Sequence, residues 1–290
     1  MCPQDHDTPA GLSTEQLLKI RESIANCFFL TFSGGEPLVY PSYWEIVEHF
    51  QKVNHPVQRL MTLTNGHLLT RDRMERYFLG IENLGFGINF DACTAGTYEA
   101  IRVHGKWSRL IRNITDINTL REKHGKRRWD LMMGFTIMKS NLHELKGAIE
   151  LAADLDMGFG CGPVTGDVGP VKNVRAFFTE NIFRFSHLGC SVEEIEAVVE
   201  DALPSVRKLR EKYRQPAEDN LQGVVRIAKG TRRLQIRPAR SRRMLRLSDE
   251  KLAEKILALA VESPRLSDVF LGRFIGYCSR IGNRLQQMLP

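Results

Sequence analysis

With 290 residues, 42% of them hydrophobic and 26% charged, the chain has enough material for one large α/β domain with an appendage, or for two small domains. No apolar run approaches the roughly 18 to 20 residues of a membrane span, which excludes a helical transmembrane protein. The first residues, Met1-Cys2-Pro3-Gln4-Asp5-His6-Asp7, have neither a basic n-region nor an apolar h-region, so the expected location is the cytoplasm.

From the start to about residue 170, short β-rich apolar runs alternate with amphipathic stretches, the pattern of repeated βα units around a parallel sheet. Ser13-x-x-Gln16 is a capping box for a first helix that carries Leu17, Ile20 and Ile24 on one face. A strand is expected over 28–32, ending in Ser33-Gly34-Gly35-Glu36-Pro37. A second capping box, Ser42-x-x-Glu45, opens the next helix, and a strand over 59–63 ends in Thr64-Asn65-Gly66. A helix over 72–78 leads to a strand over 85–90 that ends at Asp91. Helices over 94–103 and 107–122, a basic turn and a strand over 130–138 follow. Asn141-x-x-Glu144 caps a helix to about Leu155, and a short strand over 157–161 closes the series of five.

Beyond Pro170 the texture becomes helical, with helices expected over 192–213 and 249–261, a linker over 214–220 and two short strands within 224–236. The division is thus a core over 1–170 and a mainly helical C-terminal region over 171–290. Basic residues concentrate in the segment 205–246, which holds only Glu211, Glu218 and Asp219 as acids. Such a segment suits nucleic acid, an anionic surface or a phosphorylated substrate; a solvated basic face is the plainer alternative, because no aromatics interleave to stack on bases.

Ligands of parallel α/β folds sit at the carboxyl ends of the strands. In Gly34-Gly35-Glu36-Pro37, two residues without Cβ let a ligand approach the backbone, the carboxylate offers a counter-charge, and proline stiffens the exit. Exposed carbonyls and Glu36 suit an ammonium-bearing ligand. Asn89 and Asp91 alternate on one strand, where polar side chains can meet hydroxyls or a sulfonium, although Asp91 equally suits the N-cap of the next helix. Arg102 either clamps a carboxylate or pairs at the surface with Glu99. The backbone after Cys161 is either a ligand contact or a plain Gly-Pro turn, and His104 and His143 are expected at the surface. The six cysteines lie far apart with no Cys-x-x-Cys, which argues against a self-contained zinc site; all but Cys2 are expected to be small buried hydrophobes.

Gly34-Gly35-Glu36-Pro37, Thr64-Asn65-Gly66, Ile88-Asn89-Phe90-Asp91, Thr97 to Arg102 and Trp107 to Ile114, in that order over roughly residues 2 to 165, resemble the radical S-adenosylmethionine (SAM) superfamily. The resemblance implies a partial (β/α)6 TIM-like barrel of parallel strands. It also implies a SAM site at Gly34, Gly35, Glu36, Pro37, Asn65, Asn89, Asp91 and Arg102, although the family commonly has serine where Asn89 stands. It further implies a [4Fe–4S] cluster held by Cys-x-x-x-Cys-x-x-Cys, with Cys2 as the last of the three thiolates and the other two upstream of Met1. One thiolate cannot hold a cubane, so the chain as written is expected to be inactive, with a sticky sheet edge where a first strand is wanting. The implied reaction is reductive cleavage of SAM to a 5′-deoxyadenosyl radical that acts on an unknown substrate, with electrons from a donor such as flavodoxin or ferredoxin. The competing reading is a binding module of this fold without a cluster, using its basic segment for an anionic partner.

Overall fold

The computed structural model describes residues 14–24, 26–53, 58–164, 174–231 and 233–261. Its centre is one sheet of five parallel strands, β1 (Phe29–Phe32), β2 (Arg59–Thr64), β3 (Leu84–Asn89), β4 (Trp129–Ile137) and β5 (Gly158–Pro163), in the order of the chain. Helices α1 (Thr14–Ile24) and α2 (Pro41–Val53) flank β1, and α3 (Arg71–Tyr77) leads to β3. Next come α4 (Ala95–Ile101) and α5 (Trp107–Lys123), with α6 (Leu145–Asp154) between β4 and β5. This is the expected open, partial barrel, because parallel neighbours require a crossover at every step.

Register sorts the sheet into two faces. Leu60, Leu84 and Trp129 pair in one row, with Phe86–Leu131 and Ile88–Met133 in the rows above. All of these residues are buried beneath the helices. The opposite face is built differently. Met61 lies across Gly85, Leu63 across Gly87, and the Asn89 amide across Gly134, where a Cβ would stand 2.7 Å from Oδ1. Missing side chains thus let their neighbours lie flat, and Leu63 and Asn89 stay exposed there. Two buried polar bonds hold the covered face: Tyr43 Oη to Thr62 Oγ1 at 2.9 Å ties α2 to β2, and Trp129 Nε1 to the Ile81 carbonyl at 2.8 Å ties β4 to the loop before β3.

The C-terminal part consists of α7 (Val174–Glu180), α8 (Val192–Ala202), α9 (Glu211–Gly230), α10 (Pro238–Met244) and α11 (Asp249–Val261). Three expectations are corrected here. The single helix over 192–213 is broken by a 3-10 segment, Leu203–Lys208, that starts next to Pro204. The linker over 214–220 is the first half of the 20-residue α9, which accommodates Pro216 in its second turn and buries Tyr213, Ala217, Leu221, Val224 and Ala228 at helical spacing. The strand pair in 224–236 reduces to one bridge, between Leu234 and Phe185. At the other end, α2 begins at Pro41, so Ser42 sits inside its first turn rather than capping it. Ser13 lies outside the described residues.

Helix α9 packs along β5, and its anchor is a charge network at the amino-terminal end of the sheet. Asp130 accepts from Arg59 Nη1 at 2.9 Å, from Tyr213 Oη at 2.8 Å and from Lys212. Burial by itself would raise the Asp130 pKa, but the bonds from Lys212, Tyr213 and Arg59 outweigh it and hold the carboxyl below the usual range. A depressed carboxyl contributes stability above the unfolded-state pKa and loses it as pH falls through the folded value. Asp130→Asn is therefore expected to cost about 2 kcal/mol at pH 7 and progressively less as pH falls below the ordinary carboxylate range; urea unfolding as a function of pH checks both the loss and its decline.

Candidate functional site

The carboxyl ends of β1 to β4 converge on a rim, and each loop there is tied to the next. After β1, Gly34 and Gly35 take φ values of +88° and +52°, which turns the chain back over the strand ends. Glu36 then caps the short 3-10 turn Pro37–Val39. Its Oε1 accepts from the Thr64 hydroxyl at 2.7 Å and the Leu38 amide at 3.3 Å, and its Oε2 from the Asn65 amide at 2.7 Å. The Glu36 carboxylate is thus a clasp between the first two strand ends.

Asn65 is the pivot of the second loop, where its Oδ1 accepts the His67 amide at 3.0 Å. The Lys106 amide donates to His67 Nε2 at 2.8 Å, which makes Nδ1 the protonated nitrogen and the donor to the Asn65 carbonyl. Gly66, at φ +77°, has no room for a side chain: a Cβ would stand 2.6 Å from Leu110 and 2.9 Å from Ile88. Asn113 of α5 holds the Gly66 carbonyl at 2.8 Å.

At the third strand end the structure departs from the expectation of two inward residues. β3 stops at Asn89, which lies exposed on the glycine-lined face, while Asp91 turns into the left-handed region at φ +58° and is 3% exposed. Asp91 is not the N-cap of α4; Thr94 is. Instead Asp91 Oδ1 accepts the Thr136 amide of β4 at 2.7 Å, and Oδ2 accepts Arg102 Nη2. Asn141 does not cap a helix either. Its amide donates to the Asp91 and Thr136 carbonyls at 2.8 Å each, and its Oδ1 accepts the Met138 amide. Arg102 therefore does not pair with Glu99, which receives the Trp107 amide instead. The Nε of Arg102 is buried without a partner.

Beside this pair lies a cleft of about 970 Å³, lined by Asn65, His67, Tyr98, Arg102, Met138 and Glu180 among others. Glu144, at the start of α6, holds the loop before α4 by accepting the Cys93 amide and the hydroxyls of Thr94 and Thr97, each at 2.6 Å. Burial works to raise the Glu144 pKa, but these three partners hold it below the usual carboxylate range.

The described cysteines Cys27, Cys93, Cys161 and Cys190 are unpaired and well separated, and no three His, Cys, Asp or Glu among the described residues gather as a metal site. Burial pushes the Cys161 thiol up to about 12, and burial and Glu144 push Cys93 up to about 11, so both are protonated near neutral pH. The described residues thus do not fit a [4Fe–4S] cluster. Cys2, the expected cluster ligand, lies outside them.

Residues 1–152 match the family model of the Radical SAM superfamily, more than half of the chain. The chain belongs to the radical SAM superfamily. It is 30% identical over 151 residues to the AdoMet-dependent heme synthase of Methanosarcina barkeri, and 28% identical over 111 residues to the mycofactocin maturase MftC of Mycobacterium tuberculosis. These matches cover 51% and 38% of this chain but only 40% and 27% of the two relatives. No helix among the described residues is long and apolar enough to cross a membrane.

Of the residues singled out in the sequence of this radical SAM chain, Glu36 and Asn65 are joined directly, and Asp91 and Arg102 form a second pair. Asn65 and Arg102 share the cleft, whereas Asn89 faces the open side of the sheet. His104 and His143 are exposed, as expected. Sequence reasoning missed Asn220 of α9, whose Oδ1 accepts the Cys161 amide at 3.2 Å, just before the backbone expected to be either a ligand contact or a Gly-Pro turn. It also missed Asn113, His67 and Glu144; for Glu144 the signal was present in Thr94 and Thr97, two hydroxyls on one helical turn. Since Gly66 combines a left-handed φ with no free space, Gly66→Ala is expected to destabilise the fold by at least about 2 kcal/mol, read as a lowered urea midpoint with an unchanged m-value.

Proposed function

We propose that residues 1–170 are the SAM-binding core of a radical SAM enzyme and that the helical region over 171–290 covers its open side. One observation carries the reading: Arg102, fixed by a buried carboxylate at the strand ends, keeps a buried Nε donor with no protein partner beside a cleft. An amino-acid carboxylate fits that unmet donor, and the guanidinium fork suits two parallel bonds. The backbone at Gly34 and Gly35, with the remaining acceptor capacity of Glu36, suits the α-amine, while Pro37 fixes the loop's exit. Asn65 and Asn89 offer amide groups to ribose hydroxyls, and Asp91 acts by positioning Arg102.

When bound, SAM and a [4Fe–4S] cluster supply reductive cleavage to a 5′-deoxyadenosyl radical that acts on the substrate, with electrons from a flavodoxin- or ferredoxin-type donor. The protein's share is to orient the cofactor and exclude water. Cys2 is the candidate for one cluster thiolate. The second reading is a SAM-binding module of this fold without a cluster.

Titration calorimetry of the chain with SAM and with adenosine separates the amino-acid contacts from the rest. SAM is expected to bind, and Arg102→Ala to weaken it at least tenfold, about 1.4 kcal/mol, with adenosine affinity unchanged. Equal affinity of wild type and variant for SAM would remove the assignment. Iron and sulfide content after anaerobic reconstitution of a product extended by its in-frame upstream codons decides between the two readings: four irons per chain support the enzyme, and none supports the module.

A further inference from the structure

The arginine-rich segment is divided by the fold into a half fastened to the sheet by ion pairs and a half in which Lys229 pairs with Glu196 but no described arginine pairs with a described carboxylate. In the first half, Lys208 meets Glu150 at 3.0 Å, Arg210 pairs with Asp156, and Lys212 pairs with Asp130. These charges fasten the C-terminal helices to the sheet. In the second half, residues 220 to 248 contain eight arginines and one lysine and no Asp or Glu. Arg237, Arg240, Arg242, Arg243 and Arg246, on and beside α10, are all exposed, and none forms an ion pair with a described carboxylate.

The scaffold beneath them is fixed. Ser241 and Met244 bury the inner side of α10, Ile236 is buried just before it, and the Ser241 hydroxyl donates to the Pro238 carbonyl at 3.0 Å. Arg240 and Arg243 are three apart on α10 and so form adjacent cations on its surface, and Arg246 follows in the turn just after the helix. Five unpaired guanidinium groups on so short a stretch repel one another, and a polyanion relieves that repulsion.

We propose that this face docks the phosphodiester backbone of a nucleic acid, independently of sequence. Guanidinium forks match phosphate oxygens. The patch carries no exposed aromatic ring to stack on bases, so contact to phosphate is what remains. A protein partner would want a desolvated aromatic or apolar centre, and a membrane an apolar face; the nearest large exposed hydrophobic in sequence is Ile227, on α9.

The test is fluorescence anisotropy of the chain with a labelled mixed-sequence 30-nucleotide RNA between 50 and 300 mM salt. Variants are Arg240→Gln/Arg242→Gln/Arg243→Gln/Arg246→Gln and a charge-matched control, Lys19→Gln/Lys52→Gln/Lys123→Gln/Arg127→Gln, both checked for folding by circular dichroism. Binding that falls steeply with salt, at least a tenfold loss with a flatter salt slope in the α10 variant, and a less than twofold change in the control support the proposal. No binding, equal losses in both variants, or tighter binding to polyglutamate or to vesicles containing 30% phosphatidylserine than to RNA overturn it.

Discussion

The rim depends on one buried carboxylate. Asp91 receives the Thr136 amide from β4 and the Arg102 guanidinium from the end of α4, while its carbonyl receives the Asn141 amide from the β4 exit. Three segments are thereby joined at one residue. A carboxylate at 3% exposure is tolerated only because charge and hydrogen bonds meet both of its oxygens. Its left-handed backbone, at φ +58°, is unusual for a side-chain-bearing residue but least costly for Asp and Asn. The chain accepts that conformation because it swings Asp91 off the alternation of β3 and toward β4.

Two other acids at the rim act in the same way. Glu36 ties the first strand end to the second, and Glu144 ties the start of α6 to the loop before α4. In both, neutral hydrogen bonds rather than a cation hold the carboxylate in place, so these acids set loop positions. Arg102 differs because one of its donors remains unmet. The rim is therefore a set of internally satisfied acids around one incompletely satisfied base, a charge arrangement that favours a ligand bearing a carboxylate.

Much of this was legible in the residues. The five strands and most crossover helices follow from apolar runs and their spacing, and the Gly34 to Pro37 loop lies at the carboxyl end of β1. What escaped were partnerships across long separations. Asn141 reads locally as an N-cap, yet it bonds Asp91, 50 residues away. Asp91 reads locally as a cap because its link to Thr136 depends on β3 and β4 lying side by side. The segment 214–220 reads as a linker because Pro216 and its polar neighbours mask the buried spacing of Tyr213, Ala217 and Leu221. Packing against β5 overrides that local preference.

The same packing explains why basic residues cluster where they do. Helix α9 lies along β5, with Tyr213 beside Gly158 and Asn220 beside Gly160 and Cys161. The approach is close because the strand offers glycine rather than side chains. Arg210 and Lys212, at the start of that helix, fall next to Asp156 and Asp130 near the starts of β5 and β4 and serve as anchors. The chain beyond Gly230 has left the sheet and its acids, so the arginines of α10 have no such partner among the described residues. A basic run that looks uniform in the sequence is thus two structures, one half fastening helix to sheet and the other presenting its charge to solvent.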